Sequence, residues 1–295
     1  MYFKYMKNYP DLLRHIHQPP KKIYSLGDSS ILGGNLIAFV GTRNFTPYGK
    51  MMTERLIEDL ALCKIVIVSG LARGIDTIAH EAALRVGLKT VAVLGTGIGN
   101  IYPEENCELA DRIIADGGCI VSEYPGDAPA RSFSFPQRNR IIAGLSLATV
   151  VVEAPESSGA LITAKRANEE SRDVFAVPGD IDRPESVGCN RLIQSFGAKA
   201  VMSGMDIIRE LKIQPTLKIS NAGQACEDPA PAQIFDLSDG VAKILSVIPK
   251  TKPINVEQII ERSEKTVLEV NKALSMLEIY SLVVSTDSGF YLRTC

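Results

Sequence analysis

Four short segments set arginine or lysine among small residues or around an amide. Three sit at apparent strand-to-helix turns: Val40-Gly41-Thr42-Arg43, Ser69-Gly70-Leu71-Ala72-Arg73-Gly74, and Ser157-Ser158-Gly159-Ala160 with Lys165 further along. The fourth, Phe135-Pro136-Gln137-Arg138-Asn139-Arg140, puts two arginines around an amide just before an apolar run. Glycine and serine let a ligand come close to the backbone, helix N-termini present unpaired N–H groups, and the cations add full charge. That is chemistry for phosphate. In a parallel α/β sheet such turns collect along the carboxyl edge. Several on one edge describe a groove for a chain of phosphates, and so a nucleic acid.

Each residue has a competing assignment. Gly70 and Gly74 allow close approach after Ser69 while Arg73 contacts a phosphate, or Arg73 is a structural ion-pair partner of Asp76. Arg138 and Arg140 offer planar forks and Asn139 an amide for phosphate or base edges. Phe133 and Phe135 either stack on bases or enter the core. Ser158 and Gly159 open a helix whose dipole favours an anion, and Lys165 reaches the edge only if its helix face points there. Asp76 and His80 stand four residues apart on one helix face. With no nucleophile or metal beside them, a hydrogen bond within the helix is expected, and no catalytic residue is assigned.

Gly95-Thr96-Gly97-Ile98-Gly99 resembles a dinucleotide fingerprint, and Glu123 follows the next strand at a suitable distance. Tyr102-Pro103 intervenes where a phosphate-binding helix should start, so no nucleotide cofactor is expected. Three histidines and six cysteines without a C-x-x-C pair argue against a metal. Cys63 and Cys119, in or beside apolar runs, read as buried thiols of a reducing compartment. Met1–Pro20 has no apolar signal region and no stretch spans a bilayer, so the expected location is cytoplasmic, away from membranes. A net charge of −2 excludes a bulk polycation held to DNA by overall charge.

The elements that would position these groups alternate. Ile37–Val40, Ile65–Val68, Thr90–Leu94, Cys119–Ser122, Ala148–Val152 and Val174–Val177 are short and rich in β-branched residues, as strands buried on both faces are. Between most of them lie the amphipathic stretches Gly49–Leu62, Ile75–Val86, Asn106–Ala115 and Ala160–Glu170. The pattern predicts an α/β Rossmann-like, doubly wound, mostly parallel sheet over 37–212, after a lead-in of 1–36. A linker over 213–235, rich in proline and small residues, precedes three helices and a hairpin over 236–295, read as a small winged-helix domain. Its third helix, Thr266–Ile279, carries Glu269, Lys272 and Glu278, a balance better suited to protein or weak DNA contact than to tight duplex binding. Leu192–Leu211, including Ile193, Met205 and Ile208, holds more apolar positions than one-sided packing needs. That predicts either a homodimer surface or cover by the C-terminal part.

In order, G-T-R…Y-G, S-G-L-A-R-G-I-D…A-H, A-V-L-G-T-G…Y-P, S-E-Y-P, F-P-Q-R-N-R-I-I-A-G-L-S, V-V-V-E-A, S-G-A-L-I-T-A and V-P-G-D resemble the DNA-processing protein family, DprA/Smf. The likeness covers roughly residues 37–205. It implies a Rossmann-like, non-enzymatic protein that binds single-stranded DNA, protects incoming strands during natural transformation and loads the RecA recombinase. It also implies a homodimer. The chain departs from common members in its short N-terminus and in Asn100, where many carry an Asp nearby. A second class stays open: a Rossmann-type nucleotide-processing enzyme resembling nucleoside-monophosphate hydrolases.

Overall fold

A computed structural model of the chain describes residues 4–6, 9–214, 239–249, 254–279, 282–285 and 290–293. The chain divides into two compact units, Met1–Gln214 and Pro215–Cys295. The expected linker lies almost wholly outside the described residues, as does the expected hairpin turn Thr286–Gly289.

The first unit begins with β1 (Lys4–Tyr5), α1 (Asp11–Arg14), β2 (Tyr24–Gly27), β3 (Asn35–Val40), α2 (Pro47–Leu60), β4 (Ile65–Ser69) and α3 (Ile75–Arg85). It continues with β5 (Lys89–Gly97), α4 (Cys107–Ala115), β6 (Cys119–Tyr124), α5 (Ser134–Leu145), β7 (Ala148–Val151) and α6 (Gly159–Glu169). β8 (Asp173–Ala176), α7 (Pro184–Ser195), β9 (Lys199–Ala200) and α8 (Gly204–Glu210) complete it. The strands form one nine-stranded sheet in the order β1-β2-β6-β5-β4-β3-β7-β8-β9. It is parallel from β6 to β9, and β1 and β2 run antiparallel on one edge.

The period of two along each strand explains why both faces are covered. Leu36, Ala38 and Val40 of β3 enter the core beneath α5, α6 and α7, where Ile141, Ile142, Ala164 and Leu192 meet them. Ile37 and Phe39, one step out of phase, enter the opposite core with Leu56 and Ile57 of α2, Ile75 and Ala79 of α3, and Ile207 and Ile208 of α8. Such fully buried side chains each contribute roughly 1.5–3 kcal/mol. That is why a run with no polar alternation reads as a central strand.

The described residues before β3 are more than a lead-in. β2 pairs with β6, so this segment builds the far edge of the sheet. Leu13 and Ile16 are buried in the same core as α5. Polar ties hold the segment down: Glu170 accepts the His17 N–H at 2.9 and 3.0 Å, and Arg172 donates to the Leu12 carbonyl at 3.2 Å.

The second unit contains α9 (Asp239–Val247), β10 (Ile254–Asn255), α10 (Val256–Ser263), α11 (Val267–Ile279), β11 (Val283–Ser285) and β12 (Phe290–Arg293). Asn255 caps α10 reciprocally, accepting the Gln258 N–H at 2.9 Å while Gln258 accepts the Asn255 N–H at 3.2 Å. β12 lies between β10 and β11 in an antiparallel sheet of three strands, one more than the expected hairpin. Ile244, Ile259, Val270 and Leu277 form its buried interior.

Candidate nucleic-acid interface

The strand order reverses at β3. The chain proceeds from β3 through β4 and β5 to β6, then returns to lay β7 against the other side of β3. Loops leaving two such strands diverge and leave a crevice at the carboxyl edge. A cleft of about 620 Å³ opens here, lined by Thr42 and Arg43 after β3, Phe135 and Asn139 of α5, and Ser158 and Gly159 entering α6.

Three flat groups form one wall. Arg43 is exposed, and among the described residues it enters no ion pair. Its guanidinium carbon lies 5.9 Å from the centre of the Phe135 ring, a cation–π distance. The Phe135 and Tyr102 ring centres are 5.7 Å apart with planes tilted by 44°. Tyr102 remains 46% exposed, so much of its ring is open to a ligand.

Opposite chemistry comes from the start of α6. Ser158 caps the helix, its hydroxyl accepting the Ala160 N–H at 3.3 Å, and Asn139 donates to the Gly159 carbonyl at 3.3 Å. A Cβ at Gly159 would meet nothing within 4 Å, so no packing inside the protein requires glycine there. The turn into α6 therefore combines an open backbone with the positive end of a helix dipole.

Other expected contacts are placed differently. Ser69 is fully buried and its hydroxyl donates to the Phe39 carbonyl at 2.6 Å, tying β4 to β3. Arg138 is only 5% exposed: its guanidinium donates to the Gly70 and Val93 carbonyls and, through Nε, to Asn139 at 3.2 Å. It braces the interior instead of presenting a free fork. Gly70 is glycine because a Cβ would strike that guanidinium, and Gly74, at φ +81°, because a Cβ would strike the backbone of Thr42 and Arg43. Arg140 reaches the Gln18 carbonyl at 2.6 Å and pairs with Glu123, clasping the N-terminal segment to α5 and β6. Lys165 is exposed on the groove between α6 and α7 and does not line the cleft.

Arg73 is exposed, as a ligand contact requires, and its ion-pair partner is Glu105 instead of Asp76. Asp76 is buried and accepts the Gly70 N–H at 3.1 Å and the Ala72 N–H at 3.4 Å. Burial raises its carboxyl above the ordinary value, opposed by the neighbouring Arg138, whose own guanidinium burial lowers to about 10. The expected bond within α3 is absent: His80 meets the Thr90 hydroxyl at 2.7 Å, and burial holds the imidazole neutral, down to about 3. A proton on it would be desolvated beside the Arg138 charge.

The glycines of residues 95–99 serve loop packing. The N–H groups of Gly97 and Gly99 donate to Ala128 and Gly126, each at 2.9 Å, and a short 3-10 turn at Glu104–Asn106 follows. Phe133 is 52% exposed and Phe135 half-buried, so neither is a core residue. Tyr102 and Glu105 were not expected at the site. Tyr102 was legible only as part of a Y-P pair, since nothing local brings that loop to Phe135.

The apolar segment 192–211 also sorts differently. Ile208 is buried and Met205 packs half-buried on the same core beside α2, while Ile193, on α7, packs half-buried against the opposite core. The exposed large apolar side chains of this segment are Phe196 and Met202. Phe196 borders a groove of about 480 Å³ with Leu161, Ile162 and Leu192. Among the described residues, no cluster of His, Cys, Asp and Glu could hold a metal and no helix is long and apolar enough to cross a membrane.

Residues 1–212 match the family model described as DNA recombination-mediator protein A. Protein Smf of a Synechocystis species is 39% identical over 314 aligned residues, covering 97% of this chain and 78% of its own. The crystal structure of DNA processing protein A from Streptococcus pneumoniae superposes with a TM-score of 0.67 at 44% identity, over 70% of this chain and 74% of that one. DNA processing protein A from Helicobacter pylori, studied for its single-stranded DNA binding mode, gives 0.65 at 34% identity, over 71% and 95%.

Proposed function

The chain belongs to the DNA recombination-mediator protein A family, and on that premise we propose that it binds single-stranded DNA along the carboxyl edge of its sheet. One observation carries the reading: at the strand-order reversal an exposed Arg43 that enters no ion pair among the described residues, the rings of Phe135 and Tyr102, and the open turn at Gly159 border one cleft. Charge and helix dipole suit phosphate, and the rings suit splayed bases, which a duplex does not offer. The single-stranded DNA binding of the Helicobacter pylori relative supports the choice of ligand. We extend the reading to protecting incoming strands and to handing them to a RecA-type recombinase, in keeping with the family's description as recombination mediators. The buried thiols of Cys63, Cys119 and Cys189 suit a reducing cytoplasm. The second unit, with three helices and a small sheet, fits a winged helix for protein or weak DNA contact.

The test is binding of the full chain to labelled oligo-dT across a salt series. The logarithm of affinity should fall with log salt at a slope of about −0.7 per phosphate neutralised, and duplex of equal length should bind more weakly. Turnover of a mononucleotide without oligo-dT binding would move the assignment to a nucleotide-processing enzyme.

The homodimer reading now rests on Phe196, Met202 and the apolar groove beside α7, because Ile208 belongs to the interior. Light scattering should report a dimer that Phe196→Asp converts to a monomer with an unchanged unfolding temperature. A wild-type monomer at micromolar concentration sinks the interface. Ile208→Asp is expected to unfold the protein, since it buries a carboxylate.

A further inference from the structure

Arg73 lies in the loop between β4 and α3 and shares a small cavity with Arg43, Tyr102 and Phe135. A strand leaving the cleft across those two rings would arrive at it. Yet its fork is occupied. Its NH2 donates to Glu105 at 2.8 Å while Nε contacts the other carboxylate oxygen. This two-point, planar geometry is the one a guanidinium uses for phosphate.

The pairing is built from below. Glu105 sits in the 3-10 turn Glu104–Asn106, and the buried Asn106 amide anchors that turn to the loop bearing Arg73. Asn106 Nδ2 donates to the Leu71 carbonyl at 2.8 Å and to the Thr77 hydroxyl at 3.0 Å. Two exposed side chains thus start from backbones fixed to each other, which removes much of the entropy an ordinary surface pair must overcome. Glu104, one residue earlier and also exposed, enters no ion pair among the described residues.

We propose that Glu105 is a resident phosphate mimic: it seats on Arg73 and withholds that cation until a nucleic-acid phosphate displaces it. The idea rests on the single-stranded DNA reading and adds to it a negative determinant of affinity. The Arg73 end of the groove then engages only strands already held at the Arg43 cleft, where the local phosphate concentration is high.

Fluorescence anisotropy with labelled oligo-dT at low salt tests this on the full-length protein. Glu105→Gln should tighten binding by about three- to tenfold, as one more cation becomes free for phosphate, and Glu104→Gln by less than about twofold. Arg73→Ala should cost little in the wild-type background and at least about threefold more in the Glu105→Gln background, the mark of a coupled pair. Equal gains from both glutamates would reduce the effect to general electrostatics and overturn the proposal. So would an equal cost of Arg73→Ala in both backgrounds. Wild-type binding that Glu105→Gln leaves unchanged overturns the mimic alone. No binding by any of these proteins overturns both the mimic and the single-strand reading.

Discussion

Arg43→Ala is expected to weaken oligo-dT binding by roughly tenfold to a hundredfold, the usual cost of losing a charge-assisted hydrogen bond. The thermal midpoint should stay within about 2 °C, because an exposed side chain that enters no ion pair among the described residues adds little to folding. The salt slope should also become shallower by about 0.7, the share of one phosphate. Arg43→Lys should recover only part of the affinity: an ammonium keeps the charge but loses the planar fork and its place over Phe135. Unchanged affinity together with an unchanged slope would remove Arg43 from the site, and with it the cleft as the place of binding.

Arg138→Ala should act in the opposite way, on stability before binding. The substitution leaves Asp76 buried without its cation and the Gly70 and Val93 carbonyls without their donor. Stranding those buried groups costs about 1–3 kcal/mol each. For a unit of this size that is a fall of roughly 10 °C in the thermal midpoint. Asp76→Asn in the Arg138→Ala background should return part of the loss, since the amide removes the stranded charge and keeps an acceptor for the Gly70 N–H. Arg138→Lys should remain destabilised because an ammonium is more strongly hydrated than a guanidinium, so it is costlier to bury, and it loses the Nε bond to Asn139. If Arg138→Ala instead melts like wild type and loses oligo-dT, its guanidinium faces the ligand and the bracing role is wrong.

Taken together, the two arginines separate what a basic motif contributes. Arg43 and Arg138 both come from basic segments legible in the sequence, and both border the same cleft. One is exposed and the other is buried. The buried charge raises the potential where the exposed one works, and Arg43 is among the causes that lower Arg138. Negative ligands are what such a pair of like charges favours.

The doubly wound sheet was legible because buried strands and amphipathic helices obey local periods that need no partner to be seen. Ile65–Val68 and Thr90–Leu94 declare themselves as strands by their β-branched residues, and the structure extends them to Ile65–Ser69 and Lys89–Gly97. The carboxyl edge was legible for the same reason, since small residues after a strand mark the turn. What the sequence could not decide was which way each cation faces. Arg138 turns inward because Gly70 leaves room for it and Asp76, six residues after Gly70, leaves a buried charge to balance. Arg140, two positions on along α5, meets Gln18 and Glu123 through contacts 122 and 17 residues away in sequence. Lys165 faces the other groove because Ala160, Thr163, Ala164 and Ala167 fix which side of α6 is buried. Tyr102 and Glu105 come to the site only when β5 is laid beside β4. Residue type and spacing therefore determined that this protein has a basic, glycine-lined edge. Only tertiary packing decided which of its charges are free to bind, because a guanidinium's availability depends on the carbonyls and carboxylates that distant segments bring within reach.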